Sequence, residues 1–411
     1  MQKNLFIIPI VFLALAVLAV GCSKVEDPPI PVGKALAYTS SSKPTETMLQ
    51  LFDSLPQTTI YKAAWHRADL QQYIDSLRGI QKDSLLPFTL FIPTDAAFKQ
   101  AGVTLDTINN IPVAQLDSLL RYLAIPGIIT YDTMPFTAGS TTYYPLMDPN
   151  PAFETPGLGF LPYQYKLTVG AYNNTLYLNG KSVGGHTTPT RATDGSIFLL
   201  DSVVSRPMPY TTAQLLQADT SFSFYLAACS ISDSIYNYQY EYGLPYDDTS
   251  YLYFNSNNYP PAGDGWAEVF APDNNAFRRA GFYSIDSIRN YINTSALALE
   301  DPFAWPFILM PTNMDSILVN HRLLNNQYAN GSFVNTGLSY IYAVDMLYNP
   351  AMQALNNGYE LGAITFQNSS GQVIIHRQDY PGGRAAHIVG PEITTLTGVL
   401  YRVDNLLLPT P

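Results

Sequence analysis

The sequence has little charge and no basic cluster. Only 13% of its 411 residues are Asp, Glu, Lys or Arg, and the formal net charge is -11, whereas an average soluble domain is about 25% charged. Proteins that bind nucleic acid concentrate Lys and Arg where they can follow phosphates. No such run is present, so we expect no nucleic-acid partner. An acidic chain also gains nothing from anionic lipid headgroups, so membrane attachment would need a covalent or hydrophobic anchor.

Cysteine, histidine and the common catalytic motifs are also scarce. The chain has two cysteines, Cys22 and Cys229, and five scattered histidines without metal-ligand spacing. Cys229 follows an apolar stretch with no neighbouring His or basic residue, which predicts a small buried side chain rather than a reactive thiol. Nucleophile elbows, zinc motifs and phosphate loops are missing. The sequence predicts no catalytic site, metal or cofactor; an enzyme would require a pocket that holds at least two perturbed titratable groups.

The one long apolar run lies at the N-terminus. Lys3 precedes an apolar stretch at residues 5–20, which is too short and one-sided for an ordinary spanning helix. Residues 18–22 read Leu-Ala-Val-Gly-Cys, which is similar to a lipoprotein signal. We therefore expect a signal peptide at 1–21 and lipidation of Cys22, with a plain secretory signal or a short anchor helix as the alternative.

Residues 22–44 are rich in Pro and Ser and are predicted to form an extended tether. The acidic pair Glu26-Asp27 within it is similar to the export tags of Bacteroidota-like lipoproteins. The expected location is therefore the outer membrane, lipid-anchored and exposed at the cell surface.

After the tether, one unit is present twice. Residues 91–98 (Phe-Ile-Pro-Thr-Asp-Ala-Ala-Phe) match 270–277 (Phe-Ala-Pro-Asp-Asn-Asn-Ala-Phe), and an Ala-Gly pair follows each at the same spacing. Gly195 and Gly398 each begin a second shared segment, which ends at a proline. A third segment, 116–123, matches 314–321. These repeats predict two domains, 45–209 and 210–411.

Each repeated segment has a readable local structure. Phe91-Ile92-Pro93 predicts the end of a core strand, after which Thr94 or Asp95 caps a helix. The i, i+3, i+4, i+7 spacing of leucines in 116–123 predicts an amphipathic helix. The segments after Gly195 and Gly398 predict core strands.

These motifs in this order resemble the fasciclin domain family. The resemblance implies an α+β fold, with each copy a small β-sandwich or wedge with packed helices. In the family, a Tyr-His pair near the middle of the domain is associated with adhesion to cell-surface receptors. Its matching positions are Tyr122 and Leu123 in the first copy and Asn320 and His321 in the second, so neither copy keeps the pair. For His321 we expect a side chain that satisfies buried backbone groups.

A tyrosine-rich stretch precedes the first motif of the second copy. Its candidate ligand-binding residues are Tyr236, Tyr238, Tyr240, Tyr242, Tyr246, Tyr251, Tyr253, Tyr259 and Trp266. Exposed tyrosines offer rigid, amphipathic contact area that suits glycans or proteins. The alternating spacing at 236–242 also fits a strand whose aromatic face packs on its own domain. The first copy has a similar aromatic stretch from Tyr143-Tyr144 to Tyr163 and Tyr165, and the hypothesis is that the aromatic-rich loops of both copies form the ligand surface.

The sequence thus predicts a lipid-anchored surface protein that binds or adheres without catalysis. The expected partners are the outer membrane, through the N-terminal lipid, and an extracellular polymer, glycan or protein. The alternative is an accessory surface subunit of a TonB-dependent nutrient (glycan) uptake system, bound to the transporter.

Overall fold

A computed structural model describes residues 44–81, 86–129, 140–154, 162–184, 189–240, 267–294, 313–324, 326–329, 332–335, 340–349, 354–356, 363–378, 380 and 382–409. The predicted signal peptide, Cys22 and all of the tether before Pro44 lie outside these residues. Thr45–Pro411 forms one compact unit. Within the described residues, no helix has both the length and the apolar character needed to cross a membrane.

The secondary structure mixes short helices with short strands. The described α-helices are α1 (Met48–Ser54), α2 (Thr59–Ala68), α3 (Leu70–Gln81), α4 (Asp95–Gln100), α5 (Leu105–Asn110), α6 (Val113–Tyr122), α7 (Thr212–Ala218), α8 (Ser223–Tyr240), α9 (Asn274–Arg279), α10 (Ile285–Asn293), α11 (Asp315–Leu318) and α12 (Ala343–Tyr348). Single 3₁₀ turns at Pro56–Thr58, Thr220–Phe222 and Val319–His321 adjoin them.

The strands of the first half (residues 45–209) are β1 (Phe88–Pro93), β2 (Ala124–Pro126), β3 (Thr141–Tyr143), β4 (Asn150–Glu154), β5 (Pro162–Tyr163), β6 (Leu167–Tyr172), β7 (Thr175–Leu178), β8 (Lys181–Gly184), β9 (Thr190–Ala192) and β10 (Gly195–Leu200). Those of the second half (residues 210–409) are β11 (Ala267–Pro272), β12 (Arg322–Leu324), β13 (Asn326–Ala329), β14 (Ser332–Asn335), β15 (Ala354–Asn356), β16 (Ala363–Ser369), β17 (Gln372–Arg377), β18 (Ala386–His387), β19 (Ile393–Thr394) and β20 (Val399–Val403).

The two halves have the same sheet topology. In the first half, one sheet has the order β2-β1-β10-β9 and a second sheet the order β3-β6-β7-β8. In the second half the corresponding orders are β12-β11-β20-β19 and β15-β16-β17-β18. In each half, the first and last of these strands pair in parallel, β1 with β10 and β11 with β20. The predicted α+β fold and its tandem repeat are therefore confirmed.

Side chains alternate across the parallel pair and fill two cores in each half. In β1, Leu90 and Ile92 face a core shared with the helices, while Phe91 faces the second sheet. In β11, Val269 packs against helices and Phe270 against the second sheet. Each half is thus a helical layer on a two-sheet sandwich, which explains why these strands are apolar on both faces.

An aromatic pair connects the parallel strands in each half. The rings of Phe91 and Phe198 stack with centroids 5.3 Å apart. The rings of Phe270 and Tyr401 stack at 5.2 Å, and both pairs are directly opposite in the strand register. The repeated motifs therefore meet in space at the same point of each half.

The helix starts are repeated as well. The side chain of Thr94 caps α4 and that of Asp273 caps α9. Each accepts a hydrogen bond from the backbone amide of the residue three positions later in the chain. The next residue then caps another helix: Asp95 Oδ1 accepts from Ile60 N at 2.7 Å, and Asn274 Oδ1 accepts from Phe224 N at 2.9 Å. Asp95 was one of the two predicted caps of α4, but its carboxylate caps α2 instead.

The repeat also extends further towards the N-terminus than the sequence motifs indicate. Thr47 and Gln50 form a capping box at α1, and Thr211 and Gln214 form the same box at α7. The Thr-x-x-Gln spacing is a sequence signal that predicts both helix starts. The third repeated segment is less regular, because the predicted helix at 314–321 is α11 followed by a 3₁₀ turn.

We predict that removing either second-position cap destabilises the protein. Asp95→Ala and Asn274→Ala should each lower the free energy of unfolding by about 1–2 kcal/mol, because each leaves a helix N-terminus without its acceptor. Asn275→Ala is the control, because Asn275 is exposed and bonds only to Arg278 among the contacts described. Urea unfolding followed by circular dichroism measures the differences, and a midpoint for either cap variant equal to that of Asn275→Ala would contradict the stabilising role of that cap.

Candidate functional site

The positions of the family's adhesion pair are buried in both halves. The register of β11 with β12 places Arg322 where the pairing of β1 with β2 places Ala124. This makes Tyr122 and Leu123 equivalent to Asn320 and His321, as the sequence motifs predict. All four side chains have no exposed surface. A partner protein therefore cannot touch them without opening the core.

His321 connects two backbone segments of the second half. Its Nδ1 donates to the carbonyl of Phe270 at 2.8 Å, and its Nε2 accepts from the Leu407 amide at 3.1 Å. A carbonyl only accepts and an amide only donates, so these partners define one neutral tautomer. Burial lowers the pKa of His321 to about 4. The imidazole is an internal bridge between β11 and the C-terminal segment.

Tyr122 has a comparable role in the first half. Its hydroxyl donates to the Lys166 carbonyl at 2.8 Å and accepts from Asn179 Nδ2 at 2.6 Å. The Asn179 carbonyl oxygen in turn accepts from the Thr168 amide at 3.0 Å. Tyr122 and His321, at adjacent rather than equivalent positions of the two copies, thus both join the central sheet to a neighbouring segment.

The tyrosine-rich stretch of the second half begins in a helix. Tyr236, Tyr238 and Tyr240 belong to α8, so the alternative of a strand at 236–242 is wrong for these three positions. The buried residues Tyr225, Cys229 and Ser232 continue a helical stripe from the start of α8, and this packing overrides the alternating tyrosine spacing. The remaining candidates, Tyr242, Tyr246, Tyr251, Tyr253, Tyr259 and Trp266, lie outside the described residues.

The aromatic stretch of the first half is divided between core and surface. Tyr163 and Tyr165 were expected on a ligand loop, but both are buried, with their rings in edge contact at 5.4 Å. The expectation was wrong for them because the second half and the sheet of β6 cover this segment. Tyr144 remains 55% exposed.

Tyr144 stands on the wall of a groove of about 300 Å³ in the first half. The groove lies between α3, the start of β1, the end of β2 and the loop after β3. Its lining residues are Tyr73, Leu77, Leu86, Phe88, Pro126, Tyr144, Pro145, Leu146, Met147, Asp148, Pro149, Gln164 and Tyr165. Most are aromatic, aliphatic or proline side chains, with an amide and a carboxylate among them. Such a groove can hold an amphipathic ligand.

Ion pairs fix the polar end of this groove. The Arg121 guanidinium lies 3.6 Å from the centre of the Tyr73 ring. Arg121 forms ion pairs with two carboxylates: its Nε lies 2.7 Å from Asp117 Oδ1 and its Nη1 lies 3.0 Å from Asp148 Oδ2. Burial raises the pKa of Tyr73. The single carboxylate among the described lining residues is already paired, so this end positions the Tyr73 ring rather than offering a free acid.

A smaller cavity of about 210 Å³ lies under α1. Its polar side is the ion pair of Arg78 with Asp194, at 2.8 Å, and Asp194 also accepts from the Met48 amide at 2.7 Å. These contacts attach α1 to the sheet, so we interpret this cavity as a packing feature of the fold and not as a binding site. The groove at Tyr144 is the better candidate site.

Metal ligation and a reactive thiol find no support in the described part of the chain. There, no group of three or more His, Cys, Asp or Glu side chains is close enough to hold a metal ion. Cys229 is buried, as its sequence context predicts.

The arrangement defines a pair of similar α+β units, each closed by a parallel strand pair. Residues 56–206 match the family model of the Fasciclin domain, and this segment belongs to that family. Because residues 210–409 repeat its topology, caps and stacked aromatic pair, the chain consists of two tandem fasciclin-like domains. Fasciclin domains are associated with cell adhesion and surface binding.

Other comparisons add little. A solved FAS1 domain pair from the insect cell adhesion molecule Fasciclin I is 12% identical, with 85% of this chain and 96% of that chain covered and a TM-score of 0.31. Similarity at that level does not by itself define a shared arrangement. No curated protein matches the chain.

We predict that His321→Ala strongly destabilises the second domain. The change leaves the Phe270 carbonyl and the Leu407 amide buried without their partner, and it leaves a cavity, at a cost of roughly 3–5 kcal/mol. His66→Ala, at an exposed position of α2, should change stability by less than about 0.5 kcal/mol. Chemical unfolding at neutral pH measures both variants, and a His321→Ala protein as stable as His66→Ala would contradict the bridging role.

The same histidine gives a pH dependence of known sign. Since its pKa is about 4 in the folded chain and 6.5 when unperturbed, the unfolded state binds more protons between these values. His321 therefore stabilises the fold above its unfolded pKa, and this contribution decreases as pH falls from 6.5 to about 4.

Proposed function

We propose that the chain is a lipid-anchored surface protein that holds an extracellular polymer, glycan or partner protein in the groove beside Tyr144. The observation that supports this proposal is the difference in exposure between the family's adhesion-pair positions and the groove. The adhesion-pair positions have no exposed surface, whereas Tyr144 is 55% exposed on the wall of an open groove. An aromatic ring left in solvent beside a concave surface is typical of a binding site.

The groove is also pre-organised, which supports binding. The Tyr73 ring is covered by Arg121, and two carboxylates hold that guanidinium. Side chains that are already ordered lose little conformational entropy when a ligand arrives. Aromatic and proline walls then supply apolar contact, while Gln164 and the backbone supply hydrogen bonds.

We predict that Tyr144→Ala weakens ligand binding at least tenfold without loss of fold, because it removes exposed contact area and no core packing. The full chain would be tested on a glycan array and by affinity capture from intact cells. Tyr283→Ala is the matched control, since Tyr283 is 73% exposed in the second half, away from the groove residues. Equal binding by both variants would assign the ligand to another surface.

The aromatic stretch of the second half is a further proposed contact. If Tyr236 to Tyr259 form the ligand surface, deletion of 236–259 should abolish binding on the same array, while Tyr144→Ala should leave it intact. Binding that survives the deletion would remove this stretch from the site.

The anchor is tested separately. We predict that Cys22→Ser moves the chain from the membrane fraction to the soluble fraction, because a single cysteine carries the proposed lipid. Fractionation and intact mass of the wild-type chain check this, and a wild-type mass without added lipid would contradict it. Capture of a large β-barrel transporter with the chain would favour the accessory-subunit alternative.

A further inference from the structure

The two fasciclin-like domains are joined by buried polar contacts, and Asp345 is at their centre. Its Oδ1 accepts from the Ser140 amide at 3.0 Å, the Ser140 hydroxyl at 2.7 Å and the Tyr172 hydroxyl at 2.6 Å, all from the first domain. Its Oδ2 accepts from the Tyr342 amide at 2.9 Å. One carboxylate thus accepts hydrogen bonds from both domains.

A second contact lies beside Tyr340 of the second domain. The hydroxyls of Tyr163 and Tyr340 are 3.2 Å apart, and the Lys166 ammonium lies 5.5 Å from the centre of the Tyr340 ring. Burial lowers the pKa of Lys166 to about 8, although the attraction of Glu268 in the second domain opposes the shift. Charged and aromatic groups of both domains thus share one interface.

Glu392 lies at the rim of the same interface and keeps some solvent exposure. Its Oε2 accepts from the Ala343 amide at 2.9 Å and from the Tyr401 hydroxyl at 3.2 Å. Its Oε1 faces Gly180 in the β7–β8 turn of the first domain. A Cβ atom at Gly180 would collide with this oxygen and with the Tyr342 ring. The turn therefore rests directly on the carboxyl group.

The surroundings of Glu392 oppose its negative charge. Burial raises the pKa of Glu392 to about 7, and the nearby Asp345 carboxylate adds to the increase. The Ala343 amide, the Tyr401 hydroxyl and the Lys181 ammonium act in the opposite direction. The Tyr342 ring covers the remaining side, and burial keeps that phenol neutral by raising its pKa.

We propose that Glu392 is a proton-controlled latch between the two domains. While it is protonated, the Asn179–Gly180 turn packs on it and the domains form one body. When Glu392 ionises, its charge beside Asp345 is stabilised by contact with water, and the nearest water is at the rim of the interface. The β7–β8 turn then loosens from the second domain while each domain core stays folded.

The sign of the effect follows from linkage. The folded chain binds the Glu392 proton up to about pH 7, whereas the unperturbed value is 4.5, so the folded state holds more protons between these values. The contribution of Glu392 is therefore largest at low pH and decreases as pH rises from 4.5 to about 7. This slope is opposite to that of His321, so whole-protein pH profiles would mix the two.

Comparing hydrogen exchange of wild type and Glu392→Gln at the same pH separates the effect of Glu392 from that of His321. His321 and Lys166 are present in both proteins, so their titration cancels in the comparison. The amide side chain keeps an acceptor for Ala343 and Tyr401 but never ionises. At about pH 8, we expect wild type to exchange at least several-fold faster than the variant at residues 175–184 and 340–349. At about pH 5.5, the two should agree.

Glycine variants provide an independent test. Gly180→Ala should speed exchange at 340–349 at both pH values, because its methyl group forces the turn off Glu392. Gly371→Ala is the matched control: Gly371 also has a positive φ in a hairpin turn, but no atom lies within 4 Å of a Cβ placed there. The control should affect only its own hairpin.

Three outcomes would overturn the latch. One is equal exchange of wild type and Glu392→Gln at both pH values. Another is a difference spread evenly over both cores, which would indicate global destabilisation. A third is Gly180→Ala and Gly371→Ala behaving alike at 340–349. Because no ligand is used, these results are independent of whether the groove at Tyr144 binds.

Discussion

One parallel strand pair closes each domain, and the remaining structure depends on it. In the first domain it brings together Thr89 and Ser196, whose hydroxyls are 3.0 Å apart across 107 positions of sequence. Ordering such a long loop has an entropic cost that grows only slowly with its length. Apolar burial on both faces of the pair offsets that cost. Helices therefore collect on one face and the second sheet on the other, in both domains.

This constraint explains which features the sequence alone could predict. The motifs at Phe91 and Phe270 are read correctly because strand alternation, proline ends and side-chain caps are local properties. The fate of Tyr163 is not local, since its hydroxyl partner, Tyr340, is 177 positions away. The helix at Tyr236 likewise follows from a buried stripe that begins at Tyr225. Composition predicted that tyrosines matter, but only tertiary contacts decide which of them reach solvent.

Burial of the adhesion-pair positions has the same origin. Tyr122 and His321 lie where the strand after the central helix enters the closing sheet, and each satisfies polar groups that the sheet leaves unpaired. At this junction the fold needs a buried polar side chain that joins the sheet to a neighbouring segment, but it does not need one particular residue type. A tyrosine hydroxyl does this in the first copy, and an imidazole at the adjacent register position does it in the second. Binding must then use surfaces outside this junction. In the first domain, the groove beside Tyr144 is such a surface.

The groove and the domain interface share one short piece of backbone. Within residues 162–166, Gln164 and Tyr165 line the groove, whereas Tyr163 and Lys166 contact the second domain through Tyr340. A shift of this segment changes both surfaces at once, because five consecutive residues cannot move independently in a packed core. A groove ligand can influence the interface only as far as it binds the joined and loosened states with different affinity. If the proposed ligand binds these two states with different affinity, the second domain affects its binding even when the ligand contacts only the first.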